Sequence, residues 1–180
     1  MPRFAILLRG VNVGKANRIS MADFRRTLET VGCTDVQTLL NSGNAVATCP
    51  YRVSSRLAQS TQDELAKSFG LQVNVIAKSA RELAAVIAGN TIPMTGRDPA
   101  RLLVGLSQDS AAIAGLADLT SLVRAPDVLL LGSDAVYVYC AKGIRESAAA
   151  LALLGPRGRS LTTRNWATVL KIDTLLRNPD

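Results

Sequence analysis

The side chains best equipped for chemistry in this sequence are cations set beside glycines and short amides. One run reads Arg9-Gly10-Val11-Asn12-Val13-Gly14-Lys15, with Arg18 shortly after. A second reads Ser42-Gly43-Asn44, and a third Thr163-Arg164-Asn165-Trp166. Guanidinium and ammonium groups bind carboxylates and phosphates, and glycine lets backbone N–H groups close on the same anion. Chemistry beyond binding has few instruments. The chain contains 0 histidines, which removes histidine triads, zinc–imidazole sites and an imidazole base. Cys33, Cys49 and Cys140 show no C-x-x-C spacing, so each is expected as a buried small hydrophobe in a reducing compartment. A general base would have to be Asp, Glu, Lys or Tyr, and none stands out by spacing. No cofactor and no structural transition metal is expected. Catalytic residues stay unassigned, and whether the chain is an enzyme stays open.

The Gly10–Lys15 run follows an apolar segment and precedes a helix signal, as phosphate loops do. A Walker A loop needs four residues between its glycines and Ser or Thr after its lysine. Here Val11, Asn12 and Val13 intervene and Ala16 follows Lys15, so a nucleotidase loop is rejected. Two readings remain: a basic nest of Arg9, Lys15 and Arg18 around an anion, or a glycine-bearing turn with solvated bases. In the third run, Thr162 or Thr163 is a natural N-cap, which puts Arg164 and Asn165 in a first helical turn. A cation there opposes the helix dipole by about 0.3–1 kcal/mol. A bound anion would reverse that penalty, and so would a carboxylate partner. Gly155-Pro156-Arg157-Gly158-Arg159-Ser160 adds a short basic loop, which a solvated linker would also explain.

The elements that must hold these groups follow from periodicity. Arg3 to Arg9 reads as a buried strand. Ser20 with Asp23 is a capping pattern before the stripe Met21, Phe24, Leu28, Val31, and Gly32 stops that helix. Asp35–Leu40 and Ala45–Thr48 flank Asn41-Ser42-Gly43-Asn44 as a hairpin. Leu57, Leu65 and Phe69 mark a helix closed by Gly70, and Leu71–Ala77 reads as a mostly apolar, central strand. Ser79 with Glu82 caps the next helix, which Gly89 ends. Leu102–Leu106 is a strand, Asp109 caps a short helix through Leu116, and Val128–Leu131 with Val136–Cys140 form a second hairpin. Residues 145–154 and 163–177 read as helices, with Trp166, Val169, Leu170 and Leu176 on the apolar face of the last.

Charge and composition bound the partners. Lys and Arg total 21 against 14 acids, a net of +7, which suits either a solvated basic surface or attraction to an anionic partner. Aromatics make up only 4%, which argues against stacking platforms for single-stranded nucleic acid. The apolar run Phe4–Leu8 is too short for a signal segment, and nothing approaches the ~20 residues needed to cross a bilayer. A cytoplasmic protein with no membrane partner is expected.

Leu7-Leu8-Arg9-Gly10-Val11-Asn12-Val13-Gly14, Met21 and Ser42-Gly43-Asn44 resemble the N-terminal signature of the domain-of-unknown-function 1697 family. Thr163-Arg164-Asn165-Trp166 with Thr168, Val169 and Lys171 resembles its C-terminal signature, and Tyr137–Gly143 the strand and glycine turn between. The resemblance spans nearly the whole chain. It implies a mostly bacterial family with no assigned activity. Two departures stand out. The family's Ser-Lys-Leu stretch reads Ser147-Ala148-Ala149 here, and its Gly-Gly-Lys-Asn loop reads Gly14-Lys15-Ala16-Asn17.

The expected architecture is α+β, with two packed ferredoxin-like subdomains of βαββαβ type arising by structural duplication. Residues 1–78 form the first, 79–100 a helix and a Pro/Gly linker, and 101–180 the second with its terminal helix. The expected function is binding of a small anionic ligand at a site between the halves. It is built from Arg9, Gly10, Asn12, Gly14, Lys15, Ser42, Gly43, Asn44, Thr163, Arg164 and Asn165. Nucleic-acid binding through a basic surface and a protein-interaction module are the alternatives.

Overall fold

The computed structural model describes residues 1–178. The chain divides into two compact units. One is built from Met1–Leu83 with the C-terminal segment from Ile172, the other from Ala84–Lys171. The elements are β1 (Arg3–Leu8), α1 (Met21–Thr30), β2 (Thr34–Leu39), β3 (Asn44–Thr48), α2 (Ser54–Phe69), β4 (Val75–Ser79), α3 (Ala80–Ala88), β5 (Leu102–Ser107), α4 (Ser110–Ala114), β6 (Val128–Leu131), β7 (Ala135–Tyr139), α5 (Ala148–Leu154), β8 (Leu161–Asn165) and α6 (Trp166–Arg177). The fold is α+β.

In the first unit, α1 starts where Ser20 Oγ accepts from Asp23 N at 3.0 Å and stops before Gly32 at φ +91°. The expected hairpin forms: Gln37, Thr38 and Leu39 pair with Val46, Ala45 and Asn44. The sheet runs β2-β3-β1-β4, antiparallel throughout. Because successive strand residues alternate faces, Phe4, Ile6, Leu8, Ala45, Ala47, Val75 and Ala77 share one face. They pack with Phe24 and Leu28 of α1 and Leu57 and Leu65 of α2. Each such large side chain, once buried, contributes about 1.5–3 kcal/mol. The capping box before α3 is present: Ser79 N donates to Glu82 Oε2 at 2.7 Å, and Glu82 N to Ser79 Oγ at 3.3 Å.

Two expectations for this unit need correction. The strand expected from Leu71 begins at Val75 and lies at the sheet edge rather than its centre. Among the described residues its ladder partner is β1 alone, whose pairing ends at Leu8↔Val75. Leu71 and Val73 remain buried in the core without belonging to the ladder. The cysteines are also not three separate thiols. The register Thr34↔Thr48 sets Cys33 and Cys49 side by side, with Cα atoms 4.2 Å apart, and their sulfurs are bonded; Cys140 stays free and buried.

The second unit carries a sheet in the order β6-β7-β5-β8, again antiparallel. Leu103, Val136, Val138, Leu153 and Leu161 anchor its core. Asp109 caps α4 through Ala111 N at 2.9 Å, but that helix ends at Ala114 rather than Leu116, and a 3-10 stretch follows over Ala117–Leu122. The helix expected from residue 145 begins at Ala148, with Ser147 as its cap. The largest change concerns residues 161–165, expected in part as a helix start and found as strand β8. Thr162 and Thr163 are β-branched, and pairing with β5 draws them into an extended ladder. Trp166, Val169 and Leu176 are core residues of α6, while Leu170 is 40% exposed. Among the described residues, no helix is long and apolar enough to cross a membrane.

Candidate functional site

β1 delivers Arg9 to the start of a loop that returns to the core at Ile19. Four residues of this loop adopt positive φ: Gly10 (62°), Asn12 (57°), Gly14 (65°) and Asn17 (50°). A left-handed backbone is easy for glycine and tolerable for asparagine, which is why these types recur here. Asn12 organises the loop. Its N–H donates to Asn17 O at 3.0 Å, its Oδ1 accepts from Ile19 N at 3.0 Å, and its Nδ2 donates to Ile19 O at 2.8 Å and Asn41 O at 2.7 Å. One neutral side chain thus closes the loop and ties it to the β2–β3 turn.

The turn is fitted against the same place. Leu8 N donates to Gly43 O at 2.8 Å. A Cβ at Gly43 would lie 2.7 Å from both Leu8 Cβ and Val11 Cγ2, and φ there is +76°, so the position demands glycine on two counts. Asn44 is fully buried and donates to Leu39 O at 2.8 Å and Ser42 Oγ at 2.9 Å. The structure therefore brings Arg9–Gly14 and Ser42–Asn44 together within the first unit. Asn12, Gly43 and Asn44 form the frame. The charge sits around it: Lys15 and Arg18 are exposed, and Arg9 is half-buried at the loop's base, where burial holds its guanidinium pKa below the ordinary value.

Thr163, Arg164 and Asn165 lie in the second unit, on β8, where Gly105, Val104 and Leu103 of β5 are their partners. Arg164 is 9% exposed, and its Nη1 donates to Thr162 Oγ1 at 2.8 Å and Thr163 O at 2.7 Å. Burial pushes its pKa down to about 10. It stands in a strand, so the dipole penalty expected for a first helical turn does not arise. Asn165 takes the capping role expected of the threonines, its Oδ1 accepting from Thr168 N at 2.9 Å.

Sequence reasoning missed Asn17 and Asn41, whose carbonyls receive Asn12; the signal was a cluster of asparagines able to adopt positive φ. It also missed Ser54, whose Oγ donates to Glu82 Oε1 at 2.8 Å and ties the first residue of α2 to the capping box. Among the described residues, no group of three His, Cys, Asp or Glu side chains could hold a metal ion.

The family model described as "Protein of unknown function (DUF1697)" matches residues 1–137. Among solved structures, the conserved bacterial protein SP0830 from Streptococcus pneumoniae is similar, with 27% identity and a TM-score of 0.79 over 97% of this chain and 98% of that one. No curated protein matches the chain.

Proposed function

The chain belongs to the DUF1697 family, and from that premise we propose that its first unit binds a small phosphate- or carboxylate-bearing molecule at the loop Arg9–Arg18. The observation that carries this reading is the Asn12 clamp. Four hydrogen bonds from one residue hold an otherwise exposed, glycine-bearing, basic loop in a single shape. A loop ordered before binding loses less entropy when the ligand arrives. Lys15 and Arg18 are exposed, where they can make charge-assisted bonds to an oxyanion. In this reading Arg9 and Lys15 touch the anion, Arg18 adds field, and Gly10 and Gly14 admit the ligand close to the backbone. Ser42, Gly43 and Asn44 hold the loop's floor. Thr163, Arg164 and Asn165 serve the frame of the second unit.

Calorimetric titration with inorganic phosphate, pyrophosphate and citrate tests it, beside thermal unfolding. Wild type is expected to bind at least one of them saturably, and Lys15→Ala to bind about tenfold more weakly, the scale of one charge-assisted bond. A shallow salt dependence belongs to one anion; a steep one would favour the nucleic-acid alternative. Absence of saturable binding by all three sinks the reading.

We also propose that the two units are copies of one ferredoxin-like βαββαβ element. What supports it is the threading: each sheet places its second, third, first and fourth strands in that spatial order.

A further inference from the structure

The second unit holds a crevice that the site above does not use. It is an open crevice of about 290 Å³ lined by Gly115, Leu116, Asp118, Pro156, Arg157 and Arg159. We propose that this crevice is a second ligand site, for a small hydroxylated phosphate monoester of the polyol-phosphate kind.

Both walls are firm. On one side, the turn after α5 is pinned by Gly158, which is buried, and a Cβ there would stand 1.8 Å from Leu153 O. Pro156 restricts the backbone of the same turn, and Gly158 N and Arg159 N bond back to Gly155 O and Pro156 O at 3.2 and 3.3 Å. Arg157 and Arg159 flank the pinned glycine and so leave the turn from a fixed base. On the other side, the end of α4 is closed by Gly115 N to Ala111 O at 3.0 Å, and Leu116 is 4% exposed, rooted in the core.

The lining chemistry selects the ligand. Arg157 forms an ion pair with Asp118, and both side chains are about half-exposed. Such a solvated pair is weak and re-forms easily around a guest. Arg159 has no carboxylate partner among the described residues. Two guanidinium groups against one carboxylate leave a net positive crevice, suited to one phosphate on Arg159 and Arg157. Asp118 accepts hydrogen bonds only, so the body of the ligand must carry donors, which hydroxyl groups supply. Leu116 and Pro156 offer an apolar floor for its carbons. The volume suits a metabolite, at the low end of small-molecule pockets. A polyanion is disfavoured by Asp118 at the rim.

Amide chemical-shift titration of the full chain tests this with three probes: glycerol 3-phosphate, inorganic phosphate and glycerol. Saturable shifts at Gly115, Leu116, Asp118, Arg157 and Arg159 are expected with glycerol 3-phosphate, about tenfold weaker binding with phosphate, and none with glycerol. Arg159→Ala should weaken the first by about tenfold while leaving the unfolding midpoint in place. Non-saturating shifts, equal affinity for the two phosphates, or an unaffected Arg159→Ala overturn the proposal. Shifts confined to residues 10–18 also overturn it while favouring the first-unit site, so the two readings fail separately.

Discussion

Asn12 and Arg164 both donate side-chain hydrogen bonds to backbone carbonyls, yet they serve opposite ends. Asn12 is neutral and half-buried, and its bonds fix a loop on which Lys15 and Arg18 remain in solvent. Arg164 carries its charge inward to 9% exposure and donates to Thr162 and Thr163 of its own strand. The first arrangement leaves cations able to meet a ligand. The second consumes the cation in the fold. The difference teaches that how deeply a cation is buried, and not the short polar residue beside it, decides whether it can reach a ligand.

The comparison breaks most readily at Arg164. Arg164→Ala should lose about 3 kcal/mol in the absence of any ligand, from the cavity and from the lost bonds to Thr162 Oγ1 and Thr163 O. Urea unfolding measures it, and a change near zero would return Arg164 to the list of binding residues. Gly43→Ala should follow at about 2 kcal/mol, because the added methyl meets Leu8 and Val11 at a strained φ. A neutral result there would mean that the turn is not pressed against the loop.

Asn12→Ala sharpens the other side of the comparison. About 1–2 kcal/mol is expected, with faster hydrogen exchange at Ile19 N, which loses its acceptor. Unchanged exchange at Ile19 would show that the loop does not depend on the clamp.

The smallest effect separates the neutral frame from the titratable one. Tyr137 is fully buried and donates to Val86 O, and burial, with Asp134 adding, raises its pKa from 10.0 to about 12. Its contribution is complete below pH 10 and is lost as pH rises through about 12. Arg164 has the opposite sign. Burial lowers its pKa to about 10, so holding its charge costs stability below about 10, and that cost is relieved as pH rises beyond it. Tyr137→Phe should cost about 1 kcal/mol near neutrality. That difference from wild type should shrink as pH rises from 10 towards 12. A difference that holds constant would mean that the hydroxyl ionises normally.

Much of the frame was legible because its signals are local. Ser20 with Asp23, Ser79 with Glu82 and Asp109 announced three helices, since an N-cap and its partner lie within one turn of chain. Gly43 announced the hairpin for the same reason, whereas Asn44, expected in the turn, is the first residue of β3. Leu71–Ala77 failed because alternation reports which face is buried, not how far a neighbouring strand extends. Thr162 and Thr163 failed because a threonine that caps a helix and a threonine that fills a strand look alike until β5 is there to pair with.

By itself, then, the sequence determined the α+β class, the caps of α1, α3 and α4, the Gly43 turn, the family, and the absence of histidine chemistry, all of which are set by residue type or by neighbours a few positions apart. Tertiary structure alone decided three things. The register Thr34↔Thr48 brought Cys33 to Cys49 from 16 residues away. The carbonyls of Ile19 and Asn41 gave Asn12 its place as a clamp on the loop. The β5 ladder buried Arg164 and passed the helix cap to Asn165. Each depends on partners distant in sequence, and the free energy of a buried polar group is set by those partners and not by its own identity.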